Sequence, residues 1–275
     1  MNKLTFMLLP AVLLAVQACK KHGAGGSGAV PMVDSIMIYS PIDREREVET
    51  FQFNGGQLAI FSDYNTDTIS GVAMADSRVH YFSYAGTNPD PVSVRVTDTA
   101  YDNGAVSAYI PSVVYSMQYS QFGQLTGDTT TTTVPEEYNW SFEYRKDSVY
   151  VYLHYSPTST ILWDQFMVSG GNLNGYRRES VLSRGPNNPL YYPAIGERYW
   201  PYFLSSPPIF SLPIGFNIMP VDFVSRQLPL RVNDPGDNTQ LVFSWRTDPT
   251  GRVVSGEVSG YASQPVQIQF IYSGQ

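Results

Sequence analysis

Tyr138-Asn139-Trp140-Ser141-Phe142-Glu143-Tyr144-Arg145-Lys146-Asp147-Ser148-Val149-Tyr150-Val151-Tyr152-Leu153-His154 decides the fold. Tyr138, Trp140, Phe142 and Tyr144 alternate with Asn139, Ser141 and Glu143. After Lys146-Asp147, the residues Val149, Val151 and Leu153 alternate with Tyr150, Tyr152 and His154. A period of two puts one set of side chains on each face of a strand, so the stretch reads as a hairpin with one apolar face. Lys146-Asp147 supplies its turn.

The same pattern extends outward along the chain. Val113, Tyr115, Met117 and Tyr119 share a face. Three further stretches repeat one plan: Phe51 to Leu58, Tyr115 to Leu125, and Phe243 to Val253. Each reads aromatic-x-aromatic, a polar turn with glycine, then a polar residue and Leu or Val. The glycine is expected at positive φ, where a side chain would be strained. The prediction is an all-β, antiparallel meander of repeated hairpins forming one large twisted sheet. Whether that sheet is open, sandwiched or closed stays open; a transmembrane β-barrel also fits period-two strands and abundant aromatics.

Composition agrees. The chain holds 20 Tyr, 14 Phe and 4 Trp, and only 15% of its residues are charged, against about 25% in an average domain. Flat and β-branched side chains suit a pleated surface. Residues 185–220 depart from the pattern, with Pro186, Pro189, Pro193, Pro201, Pro207, Pro208, Pro213 and Pro220 among many aromatics. Prolines at this density prevent regular strands. A segment so apolar is expected to lie across the sheet and cover its aromatic face. Tyr191, Tyr192, Tyr199, Trp200 and Tyr202 are also a candidate platform on which sugar rings or a peptide could stack.

The N-terminus is of another kind. Lys3 precedes an apolar run from Leu4 to Val16, too short for a membrane span and shaped like a secretory signal. Ala18 then precedes Cys19, the one cysteine in the chain. Val16-Gln17-Ala18-Cys19 resembles the lipobox of bacterial lipoproteins. That resemblance implies cleavage after residue 18 and acylation of Cys19, with residues 19–33 as lipidated cysteine and flexible Gly-rich tether. A single β-rich domain would then fill 34–275, with the irregular insert at about 185–220. Several acyl chains hold a protein firmly where one does not. Lys20 follows the cysteine, and no acidic stretch does; by the same resemblance the protein belongs on the outer membrane, facing the periplasm.

The repeated aromatic-x-aromatic…Gly-x-Leu/Val hairpins, with Asn188-Pro189-Leu190-Tyr191 and Asp248-Pro249-Thr250-Gly251-Arg252-Val253, look like segments of Bacteroidota lipoproteins whose sequences resemble tyrosine-rich YD repeats. The resemblance spans roughly residues 48–272 through short motifs. It implies hairpin-built sheets and no particular activity.

Chemistry-bearing groups are sparse. Without residues 1–18, which hold Lys3 and no acidic residue, the formal charge goes from −7 to −8. No basic cluster marks a nucleic-acid binder. His80 and His154 fall within strands, as face-filling or surface residues. No metal-spaced grouping, nucleophile elbow or phosphate loop is present, so no cofactor is called for. Asn233-Asp234-Pro235-Gly236-Asp237-Asn238 has oxygen ligands that suit calcium, and equally the punctuation of a turn. Glu136, Glu137 and Asp164 are the acidic residues a hydrolase reading would use.

Asp-Ser/Thr followed by a small or apolar residue, or by Thr, recurs five times, at Ser35, Thr68, Thr99, Thr129 and Ser148. The pattern resembles the O-glycosylation sequon of exported Bacteroidota proteins, whose glycans would sit on exposed turns. Equally, Asp-Ser/Thr closes turns before strands. The leading functional expectation is a non-catalytic envelope lipoprotein with a structural, accessory or interaction role. Its partners would be the membrane, through the lipid, and a glycan or envelope protein. A glycan- or peptide-binding lipoprotein comes second and a hydrolase third.

Overall fold

The computed structural model describes residues 32–41, 46–69, 72–130, 139–156, 158–176, 179–191, 225–234, 239–260 and 263–273. Residues 32–275 form one compact unit. It is a meander of sixteen antiparallel strands: β1 Val33–Tyr39, β2 Arg46–Asn54, β3 Gln57–Ile69, β4 Val72–Tyr84, β5 Pro91–Asp102, β6 Ala105–Tyr119, β7 Leu125–Thr130, β8 Asn139–Arg145, β9 Ser148–Ser156, β10 Ser159–Ser169, β11 Asn172–Tyr176, β12 Glu179–Asn187, β13 Gln227–Asp234, β14 Thr239–Thr247, β15 Val253–Ser259 and β16 Val266–Tyr272. Each strand pairs with the next, and β1 pairs with β16 from Val33↔Tyr272 to Tyr39↔Gln267. The sheet therefore closes into a barrel and leaves neither end strand with an open edge.

Turn chemistry follows the sequence. Gly55, Gly56, Gly123 and Gly251 take positive φ in the three repeated hairpins, and Lys146 does so between β8 and β9. The repeats also share a tertiary contact. Leu58, Leu125 and Val253 open or nearly open their strands. Their backbone carbonyls accept hydrogen bonds from the Tyr84, Tyr144 and Tyr272 hydroxyls at 2.9, 2.9 and 2.6 Å. In each case the tyrosine comes from the following strand. The motif thus encodes a hairpin plus its attachment to the next strand, with the phenol's polar end satisfied as its ring is covered.

The inward face carries the apolar set. Phe51, Leu58, Phe61, Val94, Leu125, Phe142, Val149, Val151, Leu153, Phe243, Ile268 and Phe270 belong to one buried cluster. The faces read from periodicity hold: Trp140 and Phe142 are buried, as are Val113 and Met117. The outward face mixes polar residues with exposed apolar ones such as Tyr39, Tyr64, Leu162 and Val242. Neighbouring outward residues include Gln267, Gln269, Ser255, Glu257, Ser244 and Arg246 on β14 to β16, and Ser141, Glu143 and Arg145 on β8. Arg145 and Glu143 pair at 2.7 Å in the open, and Arg95 lies 4.1 Å over the ring of Tyr81.

β12 continues through Pro186 to Asn187, where prolines had argued against a strand. It does so irregularly: its register against β13 shifts at Val181/Ser183, Ser183/Arg184 and Arg184/Asn187. A proline cannot donate to the ladder, so pairing is tolerated here through displaced register. Residues 192–224, the greater part of the expected aromatic cover, lie outside the described residues, as do residues 1–31.

Gly256 marks a close approach. It sits inward on β15 opposite Ile268, and a Cβ there would run into the indole of Trp245. That indole donates to the Pro229 carbonyl at 2.7 Å, which holds the ring in place over the glycine. Gly256→Ala should therefore overpack the wall and cost about 1–3 kcal/mol, read as a lower urea midpoint at unchanged slope. Stability equal to the parent would show that the indole is free to move.

Candidate functional site

The barrel's two ends differ. The near end holds residue 32, the turns at 55–56, 146–147 and 170–171, and the connection from Asn187 to Gln227. The far end holds the connections after Tyr39, Ile69, Asp102, Thr130, Ser156, Tyr176, Asp234 and Ser259. Inward side chains near the middle and near end are aromatic and aliphatic. Toward the far end, on β2 to β5, they become charged.

Register places these charges in rows across the wall. One row runs Phe51, Phe61, His80, Val96, Val113. The next, one step farther out, runs Glu49, Asp63, Arg78, Asp98. Beyond it come Glu47, Asn65, Asp76 and Ala100. Arg78 grips Asp98 with two hydrogen bonds, Nε to Oδ1 at 2.6 Å and Nη2 to Oδ2 at 2.5 Å. The pair is about a quarter exposed, at 24% and 20%. Glu49 and His80 are fully buried.

Three carboxylates in a row with one guanidinium cannot all ionise cheaply. Burial pushes Asp63 up to about 7; Arg78 opposes this, while Asp76 and Asp98 add to it. Oδ1 of Asp63 and Oδ1 of Asn65 are buried and accept no hydrogen bond among the described residues. His80 goes the other way, down to about 3, because burial and then the charge of Arg78 disfavour imidazolium. It is a neutral wall residue, its ring 5.4 Å from that of Phe61. His154 is outward-facing, with Nε2 2.7 Å from Ser141 Oγ and Nδ1 2.8 Å from Thr160 Oγ1.

The sequence-predicted residues are dispersed. Tyr191 lies at the near end, its hydroxyl accepting from Arg226 Nε at 3.3 Å and its ring facing that guanidinium at 5.5 Å. Tyr192, Tyr199, Trp200, Tyr202, Cys19, Glu136 and Glu137 fall outside the described residues, as do Pro235 to Asn238 of the acidic loop. Asp164 is buried in the wall of β10. Of the five Asp-Ser/Thr sites, Ser148 follows a turn. Ser35, Thr99 and Thr129 stand instead within strands, opposite Thr50, Ser77 and Ser116, and Thr68 is paired with Ala73. The turn placement expected for the motif fails at those sites. At residues 98 and 128 the alternation turns the aspartate inward, to Arg78 and to the Trp140 backbone N–H.

Sequence reading missed the charged rows. Their signal is period-two alternation that continues while its apolar member turns charged, as in Glu47-x-Glu49-x-Phe51 and Asp76-x-Arg78-x-His80-x-Phe82. Reading also missed the exposed apolar rim. Among the described residues, Tyr39, Tyr64, Met74, Val106, Tyr109, Tyr155, Ile161, Leu162, Trp163, Leu182 and Val242 are exposed in the far half. Only Val92, Phe122 and Met167 are so at the near end. Among the described residues, no group of three or more His, Cys, Asp or Glu is placed to hold a metal, and no helix is long and apolar enough to cross a membrane.

No family model matches the chain. No curated protein matches it either. Among solved structures, a porin-like protein from Bacteroides uniformis ATCC 8492 is similar over 88% of this chain and 96% of that one, at 12% identity and a TM-score of 0.38. A likeness that faint leaves the role to be read from the chain's own residues.

Proposed function

We propose that the chain is a non-catalytic, lipid-anchored protein of the cell envelope, acting as a structural or interaction module, with its barrel standing in water. The observation that carries this is the direction of the side chains. A barrel that crosses a lipid bilayer turns an apolar band outward and a polar surface inward. Here the cluster led by Phe61, Leu58 and Val151 points inward. Arg95, Glu143, Arg145, Arg246, Glu257, Gln267 and Gln269 stand on the outward face. Arg95, within β5, would cost roughly 2–4 kcal/mol facing lipid at mid-depth, whereas Arg145 and Arg246, beside turns, would cost less.

Such a barrel needs a separate means of attachment, and Cys19 with its lipobox provides one. The adjacent exposed residues Ile161, Leu162 and Trp163 in the far half support the interaction role, because an exposed apolar patch marks a place where partners bind. The charged rows support a non-catalytic reading: Arg78 and Asp98 neutralise each other, and His80 is locked neutral within the wall. A stacking platform for glycans is favoured by none of the described residues, since Tyr191 is engaged by Arg226.

The test is fractionation with mass spectrometry. The parent protein should sediment with membranes and carry a lipid mass at Cys19. Cys19→Ala, made without the signal, should be soluble and folded without detergent. A Cys19→Ala chain that needs detergent to stay in solution would overturn the water-facing barrel. Peptides from the same native material, covering Ser35, Thr68, Thr99, Thr129 and Ser148, would reveal sugar at the proposed O-glycosylation sites.

A further inference from the structure

We infer that the far part of β10 is an open sheet edge through which two copies of this chain pair, strand against strand. The inference rests on the anchored, water-facing barrel proposed above and gives its interaction role a partner: a second copy of the same protein.

A closed ring of strands still has edges wherever neighbours differ in length. β10 is such a place. It pairs with β9 from Met167↔Ser148 out to Ser159↔Ser156, but with β11 only from Ser169↔Asn172 to Phe166↔Tyr176. Tyr176 already pairs with Glu179 of β12, so that hairpin stops at the level of Phe166. β10 runs on from Gln165 to Ser159, about 23 Å of strand at roughly 3.3 Å per residue. Ser159, Thr160, Ile161, Leu162 and Trp163 are all exposed. A strand in a covered wall alternates; this one is open on both faces. Ile161 stands on the inward side with buried Leu153, and Leu162 on the outward side with Tyr152, yet both are exposed. Trp163 meets Trp140 edge to face at 5.8 Å, which steadies its ring while leaving it 43% exposed. Among the described residues, no strand lies beside these five on the β11 side.

An edge of this kind is a template for another strand. Proteins that keep an edge single set lysine, proline or charge on it, and Ser159–Trp163 has none of these. It has Ile, Leu and Trp, which favour cross-strand pairing. Register shifts against β9 at Ser159/Thr160 and Leu162/Asp164 bound the stretch and keep the contact short. The same five residues are self-complementary. Antiparallel pairing about Ile161 sets Thr160 against the partner's Leu162 and Ser159 against the partner's Trp163, with no like charges opposed. A two-fold dimer uses one surface twice, as this requires. The anchor adds to it, because copies held on one membrane are concentrated beside one another. So small a contact makes a weak dimer in solution, with a Kd on the order of 10–100 μM.

Sedimentation of the Cys19→Ala protein, made without the signal, tests this. With rising concentration its mass should pass from monomer to dimer. Ile161→Lys sets like charges together at the two-fold axis, and Leu162→Lys charges the edge; each should weaken the dimer at least tenfold. Both replace exposed side chains, so the urea midpoint should stay at the parent's value. Leu182→Lys, on β12 at a position as exposed as Leu162 (54% against 53%), should leave dimerisation unchanged. A parent that stays monomeric would overturn the inference, and so would a dimer indifferent to both Ile161→Lys and Leu162→Lys. In either case the water-facing barrel stands if the protein is soluble without detergent. A Cys19→Ala chain that needs detergent overturns both.

Discussion

Phe61→Ala should cost about 3–5 kcal/mol, a large share of the roughly 5–15 kcal/mol that holds an ordinary domain folded. The ring is fully buried and sits 5.4 Å from both Phe51 and His80. Its loss removes apolar contact and leaves a cavity that paired strands on either side cannot close. It also opens space beside His80, held neutral by burial, so water reaching the imidazole adds a second disturbance. Phe61→Leu keeps most of the volume and should cost less than half as much. Urea unfolding followed by tryptophan fluorescence separates the two. A loss below 1 kcal/mol for Phe61→Ala would mean the wall at this point is collapsible, and that the barrel's interior is not the close-packed core described above.

That core was largely legible in the chain. Trp140, Phe142, Val149, Val151 and Leu153 reveal their face by spacing alone, because a strand permits only two directions for a side chain. Gly55, Gly123 and Gly251 announce turns for a similar reason: positive φ admits few residues. Closure was not legible. Whether β1 meets β16 depends on twist and stagger accumulated over sixteen strands, and nothing in Val33 to Tyr39 names Val266 to Tyr272 as its partner. The triple repeat was visible as a pattern, but its meaning lay in Tyr84, Tyr144 and Tyr272, up to 26 residues from the carbonyls they bind.

The charged rows were hidden for a different reason. Glu47, Glu49, Asp63, Asp76, Arg78 and Asp98 alternate with outward residues of mixed character, Ser62, Ser77 and Thr99 beside Val48, Tyr64 and Val79. Here period two gives no contrast that marks the charged set as inward, and only the register with neighbouring strands shows which set points inward. The far halves of β3 to β6 are therefore readable as strands and unreadable as walls. The exposed rim has the same origin: Ile161, Leu162 and Trp163 are consecutive, and three adjacent apolar residues cannot tell a buried strand from an uncovered one.

Arg78→Met should destabilise the protein by about 3 kcal/mol at pH 8, and by much less at pH 4.5. Arg78 is the one cation in the row that holds Glu49, Asp63 and Asp98, and its bidentate grip on Asp98 is shielded from solvent by three quarters. Removing it leaves carboxylates facing one another across neighbouring strands. The pH dependence follows from Asp63. Its folded pKa, about 7, lies above the ordinary aspartate value of 3.8 that applies when unfolded. The folded state therefore holds a proton that the unfolded state has lost between those limits. Stability is fully present below about pH 4, falls as pH rises, and levels off above 7, with a slope on the order of 1 kcal/mol per pH unit. Without Arg78, the attraction that favours ionised Asp63 is gone, so the decline should extend to higher pH. Asp63→Asn should flatten this part of the profile and make the protein more stable than the parent at pH 8. Stability measured by urea at half-unit steps from pH 4.5 to 8.5 decides it. A parent profile level across that range, unchanged in Asp63→Asn, would mean Asp63 is ionised and solvated, with the far end of the barrel open to water.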